Sequence, residues 1–365
     1  HYIKGHLTVA LGIAITTAII TGALIVGDSV TYSLLQTTRY RLGNISHVVH
    51  TGERYITQAL SDTLSQQPNI QSTPVLKLYG SGIVGGGEHR LEKIQVWGID
   101  RDFKKVVGTG FPYDSLDNNE IIISKNVAER LMLKPGDRVL LRMTKASAIP
   151  LNTPFVSENN QTVSRRFKVY KIAGKKDYGR LNLKTSQTAP FNVFIPIDQL
   201  NSLMEMENKA NLILAQYDKQ EEFAGLKEAV KENFTYRDAN FHVQLLDHTG
   251  EWEITSERVF IDDTLTNRML KEFNQAQPIL TYFVNEIRNH RYATPYSFVS
   301  TVHKGLKNGE ILLNEWLARD IHAQIGDSIT LSYYVIGPLR QLTEKQSRFK
   351  VKDIVPMEGY YGDKT

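Results

Sequence analysis

The stretch EIIISKNVAERLMLKPGDRVLL, Glu120 to Leu141, returns in altered form as EILLNEWLARDIHAQIGDSITL, Glu310 to Leu331. The two align without a gap at an offset of 190. Each reads as one plan. Ile121-Ile122-Ile123 or Ile311-Leu312-Leu313 forms a short strand, and Ser124 or Asn314 caps a helix over Val127–Leu133 or Leu317–Ala323. A turn at Gly136-Asp137 or Gly326-Asp327 then leads into an alternating strand, Val139-Leu140-Leu141 or Ile329-Thr330-Leu331.

Working outward, RFKVYKI from Arg166 matches RFKVKDI from Arg348 at an offset of 182. Upstream, at an offset of 204, Glu53-Arg54 lie over Glu257-Arg258, and PVLKLYGSGI from Pro74 lies over PILTYFVNEI from Pro278. Each half opens on a short strand and an amphipathic helix, Tyr55–Gln66 and Phe260–Phe273. The blocks keep their order while the offset shrinks. This predicts a duplicated α+β module, the first copy over 45–235 with an insertion and the second over 236–365. In the insertion, FNVFIPIDQLNSLM and ANLILAQYD read as strand, helix and strand, followed by a surface helix LKEAVKENF.

The N-terminal part follows another rule. LTVALGIAITTAIITGALIVG, Leu7 to Gly27, holds 21 residues without a charge. As a helix it is about 32 Å long, the thickness of a bilayer's hydrocarbon core. A signal peptide has a shorter apolar region ending at a small-x-small site, and a soluble core helix shows a polar face. Here the only polar members are Thr8, Thr16, Thr17 and Thr21, whose hydroxyls can bond back to the helix. A transmembrane helix is expected over 7–27, with 1–6 as a cytoplasmic stub. Ala10, Ala14, Ala18 and Gly22 form a ridge of small side chains that suits another membrane helix. Residues 28–44 read as a helical stalk, with Asp28 at the interface, Arg39 and Arg41 near the far end, and Gly43-Asn44 terminating it.

Composition narrows the function. The chain of 365 residues suits two or three domains, and a hydrophobic content of 41% allows a sizeable core. The net charge of +4 is too small to argue for nucleic acid. The absence of cysteine removes disulfides, thiolate metal sites and thiol nucleophiles. No Walker loop, H-E-x-x-H or G-x-S-x-G motif occurs, and the histidines are scattered, so no catalytic, cofactor or metal site is expected. GSGIVG, Gly80 to Gly85, has dinucleotide-motif spacing but leads into EHRLEKIQVWGID, and reads as a flexible turn. The Gly-Asp pairs lack the other carboxylates of a calcium loop. One basic cluster remains as a possible contact for an anionic surface or acidic partner: Arg165, Arg166, Lys168, Lys171, Lys175, Lys176, Arg180 and Lys184.

The membrane helix ending in ALIVGDSVTYSLL, followed by RLGN, GERYI, VWGID before DF, the Glu120–Leu141 block and FKVYKI, resembles the MacB-like periplasmic core region of ABC transporter permeases of the FtsX/MacB/lipoprotein-release type. The resemblance runs over nearly the whole chain. It implies a permease in the bacterial inner membrane, most of this chain lying on the periplasmic side, with further membrane helices after Thr365 in the same permease or in a second copy. It further implies a separate ABC ATPase subunit that binds the nucleotide, and an unknown cargo or envelope partner. The chain itself would then perform no chemistry. It would couple ATP hydrolysis to export, extraction or signalling by mechanical transmission. The alternative is a membrane-anchored extracellular sensor domain.

Overall fold

The computed structural model describes residues 2–52, 54–113, 116–146, 162–186, 188–217, 223–246, 250–257, 261–301, 305–336 and 341–358. It is an α+β chain behind one long helix, and it divides into two compact units at Asn240–Phe241. The division falls five residues after the repeat boundary at 235/236. Asp238 and Asn240 are the reason: Asp238 accepts from the Thr57 hydroxyl, and Asn240 Nδ2 donates to the Tyr55 carbonyl at 2.5 Å.

Helix α1 (Ile3–Leu42) runs unbroken for 40 residues, and residues 5–35 are all exposed. A helix this apolar and this exposed along its length suits a lipid surrounding. Thr16 and Thr17 donate to the carbonyls of Gly12 and Ile13 at 2.8 Å, so their hydroxyls need no water. The helix ends on Gly43, whose φ of 62° lies in the left-handed region.

The rest of the first unit follows in the order β1 (His47–His50), β2 (Ile56–Thr57), α2 (Gln58–Ser65), β3 (Ile70–Val84), β4 (His89–Ile99), α3 (Phe103–Val107), β5 (Glu120–Ser124), α4 (Lys125–Leu131), β6 (Arg138–Thr144) and β7 (Thr162–Ala173). Then come β8 (Phe191–Pro196), α5 (Ile197–Met204), β9 (Lys209–Ala210), β10 (Leu212–Tyr217) and α6 (Phe223–Asn233). Six strands run β3-β4-β8-β5-β7-β6, and β6 pairs back onto β3, so the sheet closes into a ring. β10 and then β1 extend from the first half of β3.

The GSGIVG stretch corrects an expectation. Gly80 to Val84 belong to β3, and the turn comes later, at Gly85–Gly87. A Cβ on Gly80 would sit 2.5 Å from the Arg142 carbonyl oxygen, and one on Gly82 would be 3.0 Å from Ile94 and Leu131. The glycines allow β6 and α4 to close on β3.

Apolar residues line both faces of the ring strands. Ile121, Ile123, Val193 and Ile195 join one core with Val96, Leu141, Phe167 and Val169. Ile122 and Phe194 join another with Trp97, Phe103, Phe111 and Leu181. A strand buried on both faces reads as a continuous apolar run, as III and VFI do. Helix α4 begins two residues earlier than expected. Ser124 does not cap it, because its hydroxyl accepts from the Asn192 backbone N–H at 3.0 Å and donates to Asn126.

The second unit consists of β11 (Phe241–Leu246), β12 (Glu251–Ser256), α7 (Asp263–Glu272), β13 (Thr281–Asn289), β14 (Tyr292–Ser300), β15 (Glu310–Asn314), α8 (Glu315–Asp320), β16 (Ser328–Ile336) and β17 (Leu342–Val355). β11 and β12 form a separate hairpin, and the main sheet runs β14-β13-β16-β17-β15. Its core gathers Val284, Ile287, Leu313, Ile321, Ile329, Leu331 and Val351. Here Asn314 does cap its helix, accepting from Leu317 N–H at 2.7 Å.

The two quoted stretches have matching geometry. Glu120 pairs with Lys168 and Glu310 with Lys350, and each parallel ladder shifts register after the next residue. Gly136 N–H donates to the Val169 carbonyl at 2.7 Å, and Gly326 N–H to Val351 at 2.8 Å. Asp137 accepts from Lys134 N–H at 2.7 Å, and Asp327 from Gln324 N–H at 2.8 Å. Both Gly-Asp pairs are thus occupied in holding their turns.

Candidate functional site

Among the described residues no cluster of three or more His, Asp and Glu side chains could hold a metal ion. The feature with the most specific geometry is the joint where α1 enters the first unit. Gly43 N–H donates to the Arg39 carbonyl at 2.8 Å, and Asn44 N–H to the Val107 carbonyl at 2.9 Å. Ile45, next in line, is buried in the outer core beside α3. A Cβ on Gly43 would collide with the Val107 carbonyl oxygen, and one on Gly108, at φ 146°, with the Tyr178 hydroxyl. Tyr178 therefore lies in a slot walled by two glycines, one from the end of α1 and one from the end of α3.

The turn that carries Tyr178 is itself tied down. Asn182 N–H donates to the Arg41 carbonyl at 3.1 Å, and Lys175 Nζ lies 4.7 Å from the Tyr40 ring centre. Asp177 accepts from Gly174 N–H at 2.9 Å. The fully buried Asn192 of β8 reaches the same turn, with Nδ2 donating to the carbonyls of Gly179 and Leu181 at 3.0 and 2.8 Å. Its Oδ1 accepts from Trp97 Nε1–H at 3.1 Å. Asn192 thus uses its whole amide to tie the 174–181 turn to the ring. The outer core beneath is aromatic, with Phe111 5.0 Å from Phe103 and 4.9 Å from Phe194 between ring centres.

The VWGID–DF sequence becomes intelligible at the same place. Trp97 bonds Asn192, and Asp100 Oδ1 accepts from Phe103 N–H at 2.9 Å and from the Thr73 hydroxyl at 2.5 Å. Burial raises the Asp100 pKa, against the lowering effect of those hydrogen bonds. Nearby, Lys77 Nζ sits 4.3 Å from the Trp97 ring centre. Burial first, and the charge of Lys184 second, lower the Lys77 pKa from 10.5 to about 8.

The residues singled out in the sequence are distributed unevenly about this joint. Asp28 and Arg39 are exposed on α1, and Arg41 is half-buried at the joint. The ridge Ala10, Ala14, Ala18 and Gly22 is bare, with nothing within 4 Å of a Cβ built on Gly22. The basic cluster divides in two. Arg165, Arg166, Lys168 and Lys171 lie on β7, where Lys168 pairs with Glu120 at 3.0 Å, Arg165 Nε bonds Asn119 at 3.0 Å, and Lys171 Nζ lies 5.1 Å from the Tyr170 ring centre. Lys175, Lys176, Arg180 and Lys184 follow β7 and are all exposed, with Lys175 reaching Tyr40 at the joint. Sequence reasoning missed Asn192, Tyr178, Gly108 and Lys77. Only Asn192 carried a signal, as the one amide inside the apolar run FNVFIP.

These features fit one class: a chain in which a long apolar helix, the one among the described residues long enough to span a membrane, is built into an α+β body. Residues 7–233 match the family described as MacB-like periplasmic core domain, and the chain belongs to that family, the periplasmic domains of ABC transporter permeases, which are not themselves enzymes. The match covers α1 and the first unit and ends at the close of α6. Two solved structures are similar. The periplasmic region of MacB from Actinobacillus actinomycetemcomitans is 12% identical, covers 66% of this chain and 97% of its own, and has a TM-score of 0.36. The extracellular domain of the noncanonic ABC-type transporter YknZ from Gram-positive bacteria is 15% identical, covers 57% and 98%, and has a TM-score of 0.32. No curated protein matches the chain.

Proposed function

We propose that this chain forms the extracytoplasmic part of a permease in the bacterial inner membrane, coupling ATP hydrolysis by a separate ATPase subunit to export, extraction or signalling across the envelope. The joint carries this reading. An unbroken helix that leaves the bilayer and ends in a glycine-walled slot can pass a tilt or rotation to the first unit without a flexible link to absorb it. The small-residue ridge then faces another helix of the permease or of a second copy. The basic residues around Tyr178 face an acidic envelope partner. They lie about 20 Å along the helix from Gly27, beyond the headgroup layer and about two Debye lengths from the hydrocarbon edge.

Two measurements test this. The full natural protein, taken from membranes in detergent, is expected to bring down a P-loop ATPase in near-stoichiometric amount. Inserting three glycines after Leu35 is expected to leave that complex intact while abolishing the transport or signalling output, because the insert bends where the helix was stiff. Recovery without an ATPase, or full output from the insertion variant, would sink the coupling reading.

A further inference from the structure

The six-strand ring of the first unit and the five-strand main sheet of the second differ by one strand. β3, β4, β5, β6 and β7 have counterparts β13, β14, β15, β16 and β17, paired with the same neighbours in the same directions. Detail agrees as well. Gly80 lies opposite Ile94 as Val284 lies opposite Ser297, and the bulge residues Lys93 and Tyr296 share a left-handed backbone, at φ 58° and 51°. β8 has no counterpart. In the first unit it fills the space between β4 and β5, parallel to Ile94–Ile99 and antiparallel to Ile122-Ile123. In the second unit the facing edges of β14 and β15 pair with nothing among the described residues.

Two further absences lie in the same unit. Helix α2 buries Leu60 and Leu64 and packs on α6, whereas α7, in the corresponding place along the chain, buries no residue. The first six residues of β3 pair with β10, whereas Phe273, Ile279 and Leu280, which lead into β13, are exposed. In the first unit all the missing parts come from one stretch, residues 174–233 after β7, which supplies β8, α5, β10 and α6.

We propose that the second unit is completed by the same polypeptide continuing past β17, whose next strand enters between β14 and β15 and closes a second six-stranded ring. β8 starts at Phe191, eighteen residues after Ala173 ends β7; the same step from Val355 reaches position 373, beyond the 365 residues here. The strand runs parallel to β14 and antiparallel to β15. It is apolar on both faces, like FNVFIP, because one face meets Leu313 and Val284 and the other lies beside Phe283 and Phe298. Its entry removes two open edges, which are otherwise templates for aggregation.

The test uses the full natural polypeptide in detergent. The 365 residues contain no cysteine, so Phe298→Cys, with any cysteine beyond them replaced, places a single thiol beside the gap for a benzophenone label. Irradiation is expected to give a cross-link within one chain, joining position 298 to a peptide from beyond residue 365. Without any substitution, the gap-facing amides of β14 should exchange with deuterium within about tenfold of those of β4, while an open edge exchanges at least about a hundredfold faster. A cross-link to a second copy, a cross-link to another protein, or no cross-link together with open-edge exchange overturns the proposal.

Discussion

The first unit wraps its strands into a ring and buries apolar side chains on both faces; the second, built from strands with the same partners, leaves two edges unpaired among the described residues. The Gly-Asp turn, the short helix before it and the parallel ladder recur because each is fixed by residues within about fifty positions of one another. Closure is different in kind. It depends on β8, whose Asn192 lies 95 residues from the Trp97 it bonds. Local sequence therefore repeats local geometry, and a distant segment decides whether that geometry becomes a closed body.

Four substitutions sharpen or break that comparison. Asn192→Ala has the largest expected effect. It strips Trp97 Nε1–H and the carbonyls of Gly179 and Leu181 of their buried partner. At about 1–3 kcal/mol for each of these groups left unpaired, the first unit should lose at least about 3 kcal/mol. Denaturant unfolding followed by hydrogen exchange in each unit would read this, and an equal loss in the second unit would show that the two do not unfold independently.

Gly136→Ala and Gly326→Ala form a matched pair. The glycines stand at φ 97° and 96°, and a Cβ on either meets nothing within 4 Å. The cost is then purely that of the backbone, about 1–2 kcal/mol at each site. The two losses should agree within about 0.5 kcal/mol; a larger gap in the measured values would deny that the turns are equivalent.

The smallest effect concerns Lys77, whose place in the second unit is taken by the uncharged Thr281. Its pKa of about 8 in the folded state lies below the ordinary 10.5. Between these values the unfolded chain binds more protons, so the first unit gains stability as pH rises from 8 to 10.5. Lys77→Met should abolish that rise and lift the melting temperature of the first unit by about 2–4 °C at neutral pH. A rise that survives the substitution would assign it to another group.

What the sequence made legible follows the same division. The membrane helix and its stop at Gly43 were readable because charge-free length and a terminal glycine are local signals. The strand–helix–turn–strand blocks were readable for the same reason. GSGIVG was misread because a glycine in a strand looks like a glycine in a turn until the Arg142 backbone is seen against it. The basic run from Arg165 to Lys184 looked like one patch, since nothing local shows that β7 ends at Ala173 and that Lys175 turns toward Tyr40. The slot for Tyr178 had no signal, because its walls come from two distant helix ends.

That slot sets a scale of leverage. An arm of 40 residues is about 60 Å long. With Gly43 as the fulcrum, a swing of about 10° carries the far tip by roughly 10 Å, and sliding the tip by one helical turn asks for only about 5°. In the proposed coupling, large excursions of the helix tip would arrive at the first unit geared down to small angles, and a single methyl group at Gly43 or Gly108 would be felt at the tip as a displacement many times its own size.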